Sequence, residues 1–162
     1  HHWSWLHVHC IEDVHGQGSG RKEVSVIKTT IASTLILCNS AWALTEKELN
    51  DVLVAIRTVE SNNSPDAVGD SGNAIGVYQI WRSYHRDALE FSGIGGTYSD
   101  CFDPDYADRV VRAYMKRYAT KNRLGREVTQ EDIARIHNGG PNGHKKKATL
   151  KYWAKVKKLL NK

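Results

Sequence analysis

Two carboxylates ten residues apart, Glu60 and Asp70, have the types and spacing for acid–base chemistry. Glu60 closes an amphipathic run, and Asn62, Asn63, Ser64 and Pro65 then break the helix. The partial negative charge at a helix C-terminus opposes ionisation of a carboxyl group there, and partial burial pushes its pKa the same way. Both influences suit a general acid that must keep its proton. Asp70 lies within Gly69-Asp70-Ser71-Gly72-Asn73, a turn whose hydrogen-bond donors keep a carboxylate ionised and directed at a cleft. Asp66 competes for that role, although Pro65-Asp66 reads more naturally as turn chemistry. A protonated carboxyl group facing an ionised one is the arrangement glycoside hydrolysis needs.

The flanking elements must hold these two groups. Thr45 and Glu48 form a capping box, and Leu49, Val52, Leu53, Ile56 and Val59 recur at helical spacing, which predicts a helix over 46–60. Small and apolar residues from Ala74 to Trp81 form a short packed segment after the Asp70 turn. Residues 82–92 read as a short helix, and Gly93, Gly95 and Gly96 open a loop. Asp103-Pro104 starts a long helix, expected to end near Asn122, with Ala107, Val110, Val111, Tyr114 and Tyr118 inward. Thr129 and Asp132 start another, which stops at a loop running from His137 to Gly143, whose three glycines and one proline make it tight and specifically shaped. The last helix is expected over 149–160, with Leu150, Trp153, Val156 and Leu160 inward and lysines outward.

The chain has 162 residues, 40% apolar and 25% charged, with a net charge of +5. No run of eighteen apolar residues is present, so stable membrane insertion is not expected. A basic balance favours acidic partners, but no nucleic-acid motif accompanies it. Residues 1–22 read as a disordered upstream leader. Its His1, His2, His7, His9 and Cys10 are leader composition, not a metal site. Residues 23–43 have the layout of a signal peptide: basic Lys28, apolar Ile31 to Cys38, and Ala41-Trp42-Ala43 before the cleavage point. That leaves a domain over 44–162, secreted and monomeric, whose single cysteine is Cys101. No metal and no cofactor are expected.

Three stretches together resemble the invertebrate-type (destabilase) lysozymes. They are Val59-Glu60-Ser61; Asp70 with Gly76-Val77-Tyr78-Gln79-Ile80; and Ala113-Tyr114-Met115-Lys116-Arg117-Tyr118-Ala119 with Ala134-Arg135-Ile136-His137-Asn138-Gly139-Gly140-Pro141-Asn142-Gly143 and Tyr152-Trp153-Ala154-Lys155-Val156. The resemblance implies a lysozyme-like fold, mainly α in an α+β arrangement, with a small β-hairpin carrying Asp70. It implies hydrolysis of the β-1,4 bonds of bacterial peptidoglycan, in antibacterial defence or digestion, with Glu60 as proton donor and Asp70 as second carboxylate. It also implies a cleft lined by Tyr78, Gln79, Trp81, Tyr84, Tyr114, Tyr118, His137, Asn138 and Gly139. The chain departs from that family in its few cysteines, and His144 stands where a cysteine follows the Asn-Gly-Gly-Pro-Asn-Gly run. Two alternatives stay open: a lytic transglycosylase, which needs a single acid, and a catalytically weak cationic wall-binding antimicrobial protein.

Overall fold

The computed structural model describes residues 44–162; the leader and signal segment expected at 1–22 and 23–43 lie outside the described residues. Helix α1 (Glu46–Ser61) starts where Thr45 and Glu48 cap each other reciprocally. It ends where Asn62 turns left-handed and returns its N–H to the Arg57 and Thr58 carbonyls. Leu49, Val52, Leu53, Ala55 and Ile56 form its buried face.

A three-stranded antiparallel sheet follows, in the order β1 (Val68–Gly69), β2 (Ala74–Ile75), β3 (Ile80–Trp81). Val68 pairs with Ile75, and Ile75 with Ile80. The strands are only two residues long, so side-chain bonds brace them. The Tyr98 hydroxyl lies 2.9 Å from the Asn73 carbonyl and 2.7 Å from that of Ile80, joining both ends of the sheet. Gln79, at φ 50°, donates its amide to the Ala67 and Gly76 carbonyls at 3.1 and 3.0 Å.

The rest is helical: α2 (Arg82–Ser92), α3 (Pro104–Tyr118), α4 (Lys121–Leu124), α5 (Gln130–Gly139) and α6 (Leu150–Leu160). Helix α1 packs on α5 and α6, while α3 packs on α2 and α5. Leu53, Ile56, Val110, Val111, Met115, Ile133, Ile136 and Val156 fill the space between them. This is the mainly helical α+β arrangement expected, with one more strand than a hairpin.

Three expectations about elements need correction. Helix α3 stops at Tyr118, because Ala119 leaves helical geometry and Thr120 caps the separate helix α4. The loop expected to begin at His137 begins only after Gly139; His137, Asn138 and Gly139 form the last turn of α5. Leu150 is 47% exposed, because it stands at the first position of α6, outside the core stripe that Val156 anchors.

Candidate active site

Glu60 sits on the last turn of α1 with its side chain 19% exposed. Its Oε1 accepts a hydrogen bond of 2.7 Å from the Tyr152 hydroxyl, on α6. The same oxygen lies 3.5 Å from Nε2 of His137, on α5. Nε2 also lies 3.1 Å from the Tyr78 carbonyl, which can only accept, so this nitrogen carries a proton. The other ring nitrogen, Nδ1, lies 3.3 Å from the Tyr84 hydroxyl. Burial pushes Tyr84 well above the usual phenol value, so it stays protonated. The Tyr84 ring stacks on Tyr114 with centroids 3.6 Å apart. Helices α1, α2, α5 and α6 thus converge on one carboxyl group.

Asp70 comes from the other side of the chain's architecture, the turn between β1 and β2. It is exposed, with φ 47°, and Ser71 follows at φ 55°. Consecutive left-handed non-glycine residues cost about 1–3 kcal/mol each and persist only where neighbours hold them. Here the Asn73 amide and N–H both donate to the Asp70 carbonyl, at 2.8 and 3.2 Å, and Tyr98 holds Asn73.

Glu60 and Asp70 line one cavity of ≈ 270 Å³ with Gln79, Trp81, Tyr84, His137 and Asn138. A second hollow of ≈ 310 Å³ shares Trp81, Tyr84, His137 and Asn138 with it and extends to Ser83, Asp87, Tyr114, Gly140 and Pro141. The shared walls make the two a continuous groove. Trp81 is 47% exposed along it, a flat apolar face beside polar groups. A larger hollow of ≈ 430 Å³ between α1 and α6 contains a single acidic residue, Asp51, and lies apart from both carboxylates.

The direction of the Glu60 shift corrects the sequence-based expectation. Burial does push its pKa up, and it is the largest single influence. The hydrogen bond and charge of His137, the hydrogen bond from Tyr152 and the charge of Lys155 together outweigh burial, so the carboxyl sits below its ordinary value. Part of that balance depends on charge on His137. A neutral imidazole, or a ligand that excludes the remaining water, moves Glu60 back up.

The groove receives most of the residues expected in it, but not three of them. Tyr78 is 1% exposed and donates its hydroxyl to Asp108 Oδ1 at 2.7 Å, so it is a core residue whose backbone carbonyl serves His137. Tyr118 lies outside the lining and donates to Asp87 Oδ2 at 3.0 Å. Gly139 turns its Cα toward Thr149 and gives its carbonyl to the Lys146 ammonium, at 2.6 Å. Gln79 does line the cavity, but its amide nitrogen is committed to the sheet. Sequence reasoning missed Tyr152, which shares no local pattern with Glu60, 92 positions away. Asp87, Ser83, Gly140 and Pro141 are further lining residues beyond those expected individually.

The Destabilase family model matches residues 50–159. The chain belongs to the destabilase family. It is 44% identical over 84 residues to a lysozyme of Ostrea edulis, covering 51% of this chain and 57% of that protein. It is 34% identical over 118 residues to invertebrate-type lysozyme 6 of Caenorhabditis elegans, covering 68% and 86%. An inhibitor-bound lysozyme from Meretrix lusoria superposes with a TM-score of 0.57 at 33% identity, covering 67% of this chain and 87% of that one. The chain therefore spans little more than half the length of the Ostrea edulis protein.

Proposed function

We propose that this chain is a secreted muramidase that hydrolyses β-1,4 glycosidic bonds of bacterial peptidoglycan. One observation carries the reading: Glu60 and Asp70, borne by a helix end and a sheet turn, open into the same cavity of a groove walled by Trp81 and Tyr84. The lysozyme names of the relatives support it. Glu60, protonated, gives its proton to the glycosidic oxygen as the bond to the anomeric carbon breaks. Asp70, ionised, faces the positive charge that develops at that carbon, by attack or electrostatically. Water then adds at the anomeric carbon, displacing the Asp70 carboxylate where it has bonded there, and the proton that water releases returns to Glu60. A glycan chain in the groove removes water from Glu60 and raises its pKa, which restores the acid form the step requires. Trp81 offers the flat surface on which a sugar ring packs. Secretion rests on the signal-like pattern of residues 23–43, and a mature N-terminus at Leu44 is its signature.

The decisive experiment is Glu60→Gln assayed on purified peptidoglycan with product analysis. The substitution keeps shape and removes the transferable proton, so turnover is expected to fall about 10²–10⁴-fold with the melting temperature kept. The wild-type products are expected to carry new reducing ends. Anhydro sugars instead would mark a transglycosylase. Full bacteriolysis by the Glu60→Gln protein would leave only cationic wall binding.

A further inference from the structure

The two oxygens of Glu60 are not equivalent. Tyr152 donates to Oε1 at 2.7 Å, and the protonated Nε2 of His137 faces that same oxygen at 3.5 Å. No hydrogen-bond partner falls on Oε2 among the described residues. We infer that Tyr152 is a positioning residue that, with His137, occupies Oε1 as an acceptor and leaves Oε2 as the oxygen carrying the transferred proton. The inference rests on the proposed role of Glu60 as acid.

The chemistry follows from donors and acceptors. Burial and the neighbouring Glu60 charge push the Tyr152 phenol far up, so its oxygen keeps its hydrogen throughout the working range. An oxygen that permanently receives an O–H cannot also carry a proton aimed at that donor. The Tyr152 hydroxyl makes no other hydrogen bond among the described residues. The protonated carboxyl therefore has its C=O at Oε1 and its O–H at Oε2. As Oε2 releases its proton, negative charge grows on the carboxylate. Tyr152 and His137 are already in place to receive it, with no solvent reorganisation. Other charged or titratable groups face the acid as well: Lys155 on α6, Tyr84 on α2 and Asp70 on the sheet turn. None of these three is hydrogen-bonded or ion-paired to a Glu60 oxygen among the described residues; Tyr152 and His137 are the groups that contact one.

The first test is orientational and needs no activity. In Glu60→Gln the side-chain amide reports the same choice, its oxygen standing for C=O and its NH₂ for O–H. Nuclear Overhauser contacts from the NH₂ protons are expected to reach groove residues such as Asn138 and not the Tyr152 ring. Contacts to the Tyr152 ring overturn the inference. The second test is Tyr152→Phe on peptidoglycan. We expect kcat to fall about 10–100-fold, the range of one hydrogen bond to a charged group, with KM nearly unchanged. The alkaline limb of kcat/KM should move to higher pH, because a donor to the ionised carboxyl is gone. A fall in kcat with the limb unmoved would make Tyr152 a packing residue and sink the proposal. Retained activity in Glu60→Gln defeats the acid assignment but leaves the amide orientation a separate result.

Discussion

At the scale of the residue, the strength of Glu60 as an acid is set by opposing physical influences. Burial favours the neutral form, and the donors and cations of α5 and α6 favour the ionised one. The second set prevails in the free protein, so the alkaline limb of kcat/KM, which reports the free enzyme, is expected in the acidic range. Removing His137 takes away both a hydrogen bond and a charge that hold the pKa down. His137→Gln is therefore expected to move that limb to higher pH, as measured by a pH–rate profile on soluble glycan. A downward move would contradict the electrostatic account.

At the scale of the element, two devices hold the site. The first is the brace on the short sheet. Tyr98→Phe removes the hydroxyl that ties Asn73 and Ile80, and the Asp70 turn loosens. The expected cost is about 1 kcal/mol in stability, with a several-fold loss of kcat, seen by calorimetry and turnover together. The second is the start of α5, which must present His137. Asp132 is buried, takes a bidentate contact from Arg126 at 2.6 and 2.7 Å and caps Thr129. Burial pushes Asp132 up, but Arg126 and Thr129 hold it below its ordinary value. The folded pKa is thus depressed. Its stabilisation is complete above the ordinary value, about pH 4, and is lost as pH falls through the folded value. Asp132→Asn should be less stable by about 1–3 kcal/mol near neutrality and lose less than wild type on acidification. Parallel melting curves from neutral pH to pH 2 check this.

At the scale of the molecule, charge is divided along the fold. Residues 44–142 carry fifteen acidic and twelve basic side chains, whereas 143–162 carry eight lysines and no acid. That cationic end includes α6, the helix that brings Tyr152 to Glu60. With the proposed wall polymer as substrate, a polyanion, encounter is partly electrostatic and activity should fall as salt rises, since the Debye length is about 10 Å at 0.1 M. A turbidity assay at increasing salt gives the slope; a flat one would mean the lysines are only solvated. Cohesion is a separate matter. Cys101 is buried and free, and no other cysteine lies in the described residues. Reductant should leave the melting temperature of a chain starting at Leu44 unchanged.

Local rules sufficed for much of this. The capping box at Thr45, the breaker run after Glu60, the proline start of α3 and the stripe from Leu49 to Val59 are contacts within a few positions, and each is legible in order along the chain. So were the helix-end place of Glu60 and the turn around Asp70. Other features depend on elements far apart in sequence. Tyr78 looks like any groove aromatic until Asp108 is found beneath it. Tyr118 and Gly139 face away only because Asp87 and Thr149 stand where they do. The sign of the Glu60 shift is the clearest case. A helix end and burial both argue upward, and only the packing of α5 and α6 on α1 brings in the donors that reverse it. Sequence periodicity reports which face of a helix is apolar, but the polar atoms that meet across a core are chosen by tertiary packing.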